Sequence, residues 1–389
     1  MKAGWQLKKL RDTCELVNGR AYGKTELLAE GKYRVLRVGN FFTSNHWYFS
    51  NLELEDKKYC DTGDLLYAWS ASFGPRIWSG EKVIYHYHIW KVIPDPSVID
   101  QRFLFHFFNW DTESIKADQG AGTTMLHVSK GSMEDRDIAV PPLTEQHRIV
   151  TLLDEAFDGI ATAKANAEKN LQNARAIFES YLQSVFAESA DCGEMVALAE
   201  LATDITDGDH MPPPKALQGV PFITIGNIGK DTRTINFADT FMVSRAYFEG
   251  LKPIKKPKLG DVLYTVTGSY GVPVLINEER EFCFQRHIGL VRPRPGVSSE
   301  WLYYLLMSPQ VFKQANDGAT GTAQKTVSLK VLRGYRIPKI PLDMQLTRVA
   351  KLDFLFEETR RLETTYQRKL AALDELKKSL LHSAFNGEL

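Results

Sequence analysis

Asn18-Gly-Arg-Ala-Tyr-Gly23-Lys24-Thr25 comes close to the G-x-x-x-x-G-K-[ST] loop that cradles nucleotide phosphates on backbone N–H groups. Asn18 holds the first glycine position, Gly19 comes one place late, and no clear strand precedes the run, so the residues favour an ordinary glycine-bearing loop. His86-Tyr-His88 would put two imidazoles on one face of a strand, as a metal site needs, but no Asp, Glu or Cys stands at ligand spacing nearby. A cross-strand polar pair accounts for them better. Asp374-Glu-Leu-Lys377 mimics the tail of a nuclease D…E-x-K pattern, yet it falls in a helical apolar period, where such charges form a solvated face. The chain has no G-x-G-x-x-G after a strand, no Pro-Pro-Tyr or Pro-Pro-Phe methyltransferase loop, no H-E-x-x-H and no G-x-S-x-G. This pattern argues for a non-catalytic chain.

A different chemistry is better supplied. Gly19-Arg-Ala-Tyr22, Trp69-Ser-Ala-Ser-Phe-Gly-Pro-Arg76, Thr265-Val-Thr-Gly-Ser-Tyr270 and Gln285-Arg-His287 interleave basic side chains with aromatics, glycine, hydroxyls and amides. Such side chains hold phosphates and read base edges. The net charge is zero, from 48 basic and 48 acidic residues, which excludes a bulk polyelectrolyte role. Its distribution is uneven: 4 basic against 9 acidic residues over 143–195, and 18 against 13 over 196–340. A surplus of base on the second segment is a mild pointer to a polyanionic partner.

The chain resembles itself at an offset of 199: Pro142-Leu143 returns as Pro341-Leu342, Gln146 as Gln345, Leu153-Asp154 as Leu352-Asp353, Phe157 as Phe356, Leu171 as Leu370, Leu182 as Leu381 and Phe186 as Phe385. Val128-Ser129 matches Val327-Ser328. At shorter offsets, Val38-Gly-Asn40 matches Ile225-Gly-Asn227, and Gly63-Asp-Leu-Leu-Tyr67 matches Gly260-Asp-Val-Leu-Tyr264. The 389 residues therefore carry one plan twice, a globular module followed by a long helix. The division expected is 1–142 for the first module, 143–190 for its helix, 191–340 for the second module and 341–389 for its helix.

In the first helix, expected over 143–188 with Thr144 and Glu145 at its cap, Leu153, Phe157, Ile160, Ala167, Leu171, Ala174, Phe178, Tyr181 and Val185 keep a 3–4 spacing broken at Lys164. The second carries Leu352, Phe356, Leu362, Tyr366, Leu370, Leu373, Leu376 and Leu380. Neither stripe is stable in water alone, so the helices are expected to pair. Antiparallel pairing spares the second module from spanning their length and gives a pseudo-two-fold dumbbell. The modules read as α/β (α+β), with β-rich runs at Arg34–Val38, Leu65–Trp69, Phe222–Ile225, Val262–Thr267 and Ile288–Val291. Each carries a late apolar helix, capped by Asp100 or Ser299. Four scattered cysteines (Cys14, Cys60, Cys192, Cys283), no apolar run of ~18 residues and a charged start fit a reducing cytoplasm, without membrane span or secretory leader.

The sequence resembles the specificity subunits of type I restriction–modification systems over nearly its whole length. The resemblance rests on Pro141-Pro-Leu-Thr-Glu-Gln-His-Arg-Ile-Val150, on Ser379-Leu-Leu-His-Ser-Ala-Phe-Asn-Gly-Glu-Leu389, on Asp207-Gly-Asp-His210 and on the two runs Gly63–Gly74 and Gly260–Gly271. The second copy departs at Pro338-Lys-Ile-Pro341 and Asp343-Met-Gln345, where the prolines are split and the glutamate before the glutamine is missing.

The resemblance implies a non-catalytic chain with two target-recognition domains, each reading half of a bipartite double-stranded DNA site, and a helix pair that sets the gap. Two adenine-methyltransferase subunits and two restriction subunits would be its partners, and would carry the S-adenosylmethionine, ATP and Mg. On the loops the DNA-contacting set is expected to be Arg20, Tyr22, Arg37, Asn40, Trp69, Ser70, Ser72, Arg76, Thr123, Thr124 and His127 in the first module. In the second it is Asp209, His210, Asn227, Thr267, Ser269, Tyr270, Gln285, Arg286, Thr322, Gln324 and Lys325. Partner contacts are expected at Glu145, Gln146, Asp154, Gln345 and Asp353, and no metal ligands are expected. A type IIB-like enzyme's specificity subunit and a stand-alone DNA-binding regulator remain alternatives.

Overall fold

The computed structural model describes residues 4–70, 72–118, 127–211, 213–322 and 324–389. Its contacts divide the chain into two units, one of Met1–Glu168 with Arg368–Leu389 and one of Lys169–Gln367. Each unit thus takes one module and a part of both long helices.

In the first unit a four-stranded antiparallel sheet runs in the order Cys14–Asn18, Ile89–Pro94, Leu65–Ser70, Ser72–Ile77. A second sheet orders Tyr48–Ser50, Tyr33–Leu36, Val83–Tyr85 and Tyr59–Cys60, with its middle pair parallel. Gln6–Lys9 pairs with Asp137–Val140. Leu65–Ser70 is apolar at consecutive positions because both its faces are covered. Leu65 and Tyr67 enter a core with Trp90, Phe103 and Phe108, while Leu66 and Ala68 enter another with Phe41, Trp78 and Tyr85.

The second unit repeats the plan. Its four-stranded sheet orders Ala202–Asp207, Ile288–Pro293, Val262–Thr265, Pro273–Leu275. Its other sheets are Phe241–Val243, Val220–Ile223, Cys283–Phe284, and the pair Glu194–Ala197 with Arg336–Lys339. All five β-rich runs fall on strands, but Val38 opens a short helix, Ile225 a 3-10 turn, and Thr267 keeps only an isolated bridge to Thr326.

The late apolar helices span Gln101–Asp118 and Ser299–Met307. Asp100 caps the first, its Oδ1 accepting the N–H groups of Arg102 and Phe103, both at 2.9 Å. The second is capped by Ser298, whose hydroxyl accepts from the Trp301 N–H at 3.1 Å. Ser299 is the first helical residue instead, because the repeat has slipped by one residue between the helix cap and Val327.

The long helices span Leu143–Cys192 and Leu342–Asn386. Leu143 opens the first, so Thr144 lies inside its first turn rather than at the cap. In each unit the helices pair antiparallel. In the first, Arg148 donates to the Leu389 backbone carbonyl and Lys164 meets Asp374 at 2.7 Å. In the second, Arg175 meets Glu363 at 2.9 Å while Arg348 reaches Val185 and Ser189. The stripe of the first helix is largely buried at Leu153, Ile160, Ala167, Ala174, Phe178 and Val185. On the second helix Leu362 and Leu376 are exposed, not in the seam. Beside them the ion pairs Arg175–Glu363 and Lys164–Asp374 lace the helices together, which also explains the break at Lys164 and leaves Asp374 in an ion pair. Exposed pairs of this kind contribute only about 0–1 kcal/mol each. The buried apolar residues therefore hold the pairing.

The end of the second long helix is part of the first unit's core. Phe385 packs at ring distances of 5.2, 5.7 and 5.4 Å from Phe103, Phe107 and Trp110. Phe385→Ala is expected to destabilise this unit by about 3–5 kcal/mol, measured by denaturant unfolding of the full chain.

Candidate nucleic-acid interface

The two modules share a set of backbone hydrogen bonds that brings five chain segments together at one end of the four-stranded sheet. In the first unit, Gly19 N–H donates to Ile89 O, Arg20 N–H to Tyr85 O, Tyr87 N–H to Arg20 O and His86 N–H to Leu36 O. Ile89 N–H closes the turn on His86 O, Trp69 N–H donates to His88 O, and Val128 N–H to Trp69 O. Each has a counterpart in the second unit: Gly208 to Ile288, Asp209 to Phe284, Arg286 to Asp209, Gln285 to Ile223, Ile288 to Gln285, Val266 to His287, and Val327 to Val266. The tips they hold are His86-Tyr87-His88 and Gln285-Arg286-His287.

Gly19 and Gly208 make this approach possible. A Cβ at Gly19 would overlap the Tyr85 and His86 carbonyls, and one at Gly208 the Phe284 carbonyl. Gly19 therefore serves a backbone crossing, not a phosphate loop. The carboxylate of Glu26 accepts from Gly23 N–H at 2.8 Å and from Arg20 at 2.7 Å, placing negative charge where a phosphate would have to lie. The histidines sit in a tight turn rather than on a strand. Among the described residues no group of three His, Cys, Asp or Glu side chains converges to hold a metal.

In the first unit the tip gathers several expected residues. Tyr22 stacks at 6.3 Å on His86, and Arg20 lies 5.5 Å from the Tyr22 ring. Trp69 donates its indole N–H to Tyr87 O at 2.8 Å and lies 5.1 Å from the His88 ring and 6.0 Å from His127. Ser70 is buried behind His127, with which it forms a bridge. Burial, His88 and the Arg37 guanidinium push His86 down to about 4. Burial, His127 and Arg37 lower His88. The tip is therefore neutral imidazole in a positive field.

Other expected residues have different work. Asn40 donates to the Ser44 and His46 carbonyls, and buried Asn227 accepts from Thr224 and donates to Asp239 O. Both amides hold their own turns, Asn227 buried and Asn40 through its Nδ2 alone. Arg37 lies 5.3 Å from the Tyr48 ring and acts on His86 and His88 through its charge, while Arg76 donates to Phe41 O. Ser72 is exposed on the hairpin that follows Ser70. Thr123 and Thr124 lie outside the described residues.

In the second unit Asp209 pairs with Lys255 at 3.1 Å and His210 with Asp207 at 3.0 Å. Arg286 is exposed and, after burial, lowers His287. The loop carrying Ser269 closes through Gly271 N–H on Thr265 O, and Gly268 N–H donates to Lys325 O, which brings Thr267, Ser269, Gln324 and Lys325 together. Thr322 is exposed on the same loop as Gln324. Tyr270 is turned to Asn316, its hydroxyl donating at 2.6 Å, and stacks on Phe312. His86, Tyr87 and His88 are not among the expected DNA contacts; their offset of 199 from Gln285-Arg286-His287 is the signal for them.

The glutamines expected at a partner surface are instead buried in the chain. Gln146 accepts from Asp100 N–H at 2.7 Å and donates to Val98 O and Pro141 O at 3.0 and 2.8 Å. Gln345 accepts from Ser298 N–H at 2.8 Å and donates to Gly296 O and Ile340 O at 3.3 and 2.8 Å. Each fastens the cap of the late helix to the start of a long helix. One helical turn or two further on, Asp154 accepts from Arg102 and from His106 Nε2, both at 2.8 Å, and Asp353 accepts from the Tyr304 hydroxyl at 2.6 Å. Glu145 pairs with Arg148 at 2.7 Å. Burial pushes the Asp154 carboxyl up, but its hydrogen bonds from Arg102 and His106 outweigh this and hold it below the ordinary range. The aspartates of the two glycine–aspartate runs are likewise anchors, Asp64 to Lys91 at 2.7 Å and Asp261 to Arg292 at 2.8 Å.

Gly19→Ala or Gly208→Ala is expected to cost about 1–3 kcal/mol by overpacking the crossing, read by thermal unfolding. His106 is kept neutral chiefly by burial, so its folded pKa lies below the unfolded value. Its contribution to stability is complete above pH ~6.5 and falls as the pH drops through that value. A His106→Gln chain should lose less stability than the native chain between pH 7 and 5.

A family model described as the type I restriction modification DNA specificity domain matches residues 2–172. The specificity subunit of the Escherichia coli type I restriction enzyme EcoBI is 21% identical, over 99% of this chain and 86% of the relative. That of MjaVIII from Methanocaldococcus jannaschii is 25% identical over 84% and 79%. Among solved structures, a chain from work on complex assembly and conformational transition of the type I R-M system shares the fold with a TM-score of 0.77, at 21% identity, over 100% of this chain and 99% of that one. The HsdS subunit from Thermoanaerobacter tengcongensis gives 0.59, also at 21% identity, over 100% and 98%. With the duplicated tips and paired helices, these matches make the chain similar to the specificity subunits of type I restriction–modification systems.

Proposed function

We propose that this chain is the non-catalytic, DNA-reading subunit of a type I restriction–modification complex. Each unit reads one half of a bipartite double-stranded target, and the helix pair fixes the gap between the halves. The observation that carries this reading is the duplicated scaffold: seven matching backbone hydrogen bonds hold each tip while the side chains presented there differ. A fold that keeps the frame and varies the tip suits recognition of two unlike half-sites. Exposed Arg286 and Lys325 supply the positive charge that phosphates require.

In the same reading two adenine-methyltransferase subunits and two restriction subunits complete the complex in the cytoplasm. S-adenosylmethionine, ATP and Mg would be held by those partners, and the target adenine would be flipped into a partner's pocket. Glu145, Asp154 and Asp353 are the acidic groups of the helices nearest to a partner-facing role, Asp154 and Asp353 through their outer edges. Among the described residues no helix is long and apolar enough to cross a membrane.

Selection of random duplex DNA by the full chain, in the complex it co-purifies with, should return two constant blocks separated by a fixed gap. Exchange of residues 1–142 for another family module should replace one block. Lengthening both helices by one turn should alter the gap and keep both blocks. A single continuous motif, or the change of both blocks on exchange of one module, would overturn the reading.

A further inference from the structure

We infer that His86-Tyr87-His88, backed by Trp69 and His127, is the base-reading element of the first unit, working through stacked rings and imidazole edges where the second unit presents an amide and a guanidinium. This rests on the DNA-reading function proposed above and assigns the chemistry of one half-site.

The first argument is comparison inside the molecule. The two tips have the same backbone hydrogen bonds, so the fold does not dictate their side chains. At positions equivalent to Trp69, His86, Tyr87 and His127 the second unit has Val266, Gln285, Arg286 and Thr326, and its tip closes without those rings. The aromatic cluster of the first unit is therefore not needed to build the turn.

The second argument is geometric. Tyr87 and His88 lie 3.9 Å apart between ring centroids, His86 and His88 4.8 Å, and His88 and His127 6.2 Å. Trp69 anchors the group from below, stacked at 5.6 Å on buried Trp90. Tyr87 and His127 are exposed and His86 and His88 half-buried, so the rings form a surface and not a sealed core. Ring faces of this kind accept an unstacked base or a thymine methyl.

The third argument is the hydrogen-bonding state. The backbone N–H of His88 donates to His86 Nδ1 at 3.4 Å, which leaves the proton of the neutral ring on Nε2. A neutral imidazole N–H donates to purine N7 or to guanine O6, the acceptors of the major groove. The Trp69 indole N–H is already engaged by Tyr87 O, so that residue contributes only its face.

The test is random-duplex selection with the native full chain, an H86Q/Y87R chain carrying the second unit's tip, and a His88→Asn chain. The expected result is a change of base preference at one to three positions of one block, at least tenfold weaker binding to the native sequence, and no change in the other block or the gap. The retained block reports that the variant is folded. If H86Q/Y87R loses both blocks, the milder His88→Asn decides in its place. Unchanged bases in both blocks, with binding weakened equally on all sequences, would overturn the inference and leave the tip a phosphate contact. A native chain that selects no paired blocks would overturn the parent reading, and this one with it.

Discussion

One buried glutamine amide, used once in each unit, ties a recognition module to the helix that carries it. Gln146 and Gln345 each satisfy one N–H and two carbonyls at the junction of two helix starts. The groups they serve belong to chain reversals that secondary structure alone leaves unpaired, and a buried unpaired carbonyl or N–H costs about 1–3 kcal/mol. The amide is the side chain that fits, because it offers donors and an acceptor at the end of one short stem. A glutamate could not donate, and a leucine would strand all three groups. The aspartates further along each helix add a second fastening, through Arg102 and His106 in one unit and Tyr304 in the other. Module and helix are thereby held at two points, which fixes rotation as well as distance.

Constancy and variation are separated within each module. Backbone bonds, glycines and paired carboxylates define the frame: Gly19 and Gly208 at the crossings, half-buried Asp64 and buried Asp261 at the cations of neighbouring strands. The exposed tips differ in chemistry. This division lets a tip change without refolding its support, since the bonds that shape it come from main-chain atoms common to all residues.

Much of this was legible in the sequence, and the failures have identifiable causes. The offset of 199 located both glutamines and both aspartates, because residues that fasten one module to its helix must recur when the module recurs. It did not say which way they face, and amides expected outside are inside. The same offset misplaced the second helix cap at Ser299, since a one-residue slip is invisible to a fixed spacing while the hydroxyl of Ser298 serves as well. The helix stripe predicted Leu362 and Leu376 in the seam, where ion pairs stand beside them; periodicity marks a face but not how far its partner covers it. His86 and His88 were read by strand alternation, which assumes a strand that the crossing at Gly19 converts to a turn.

The first unit is discontinuous in sequence, built from Met1–Glu168 and completed by Arg368–Leu389, while the second is a single stretch nested between them. On the ribosome this imposes an order of events. The second unit has all its residues before the last helix segment emerges, whereas Phe103, Phe107 and Trp110 wait for Phe385. From Trp110 to Phe385 is 275 residues, which at about 5–20 residues per second takes roughly 14 to 55 seconds. Through that time the amino-terminal module lacks the ring that packs on Phe103, Phe107 and Trp110, and slower synthesis lengthens its exposure.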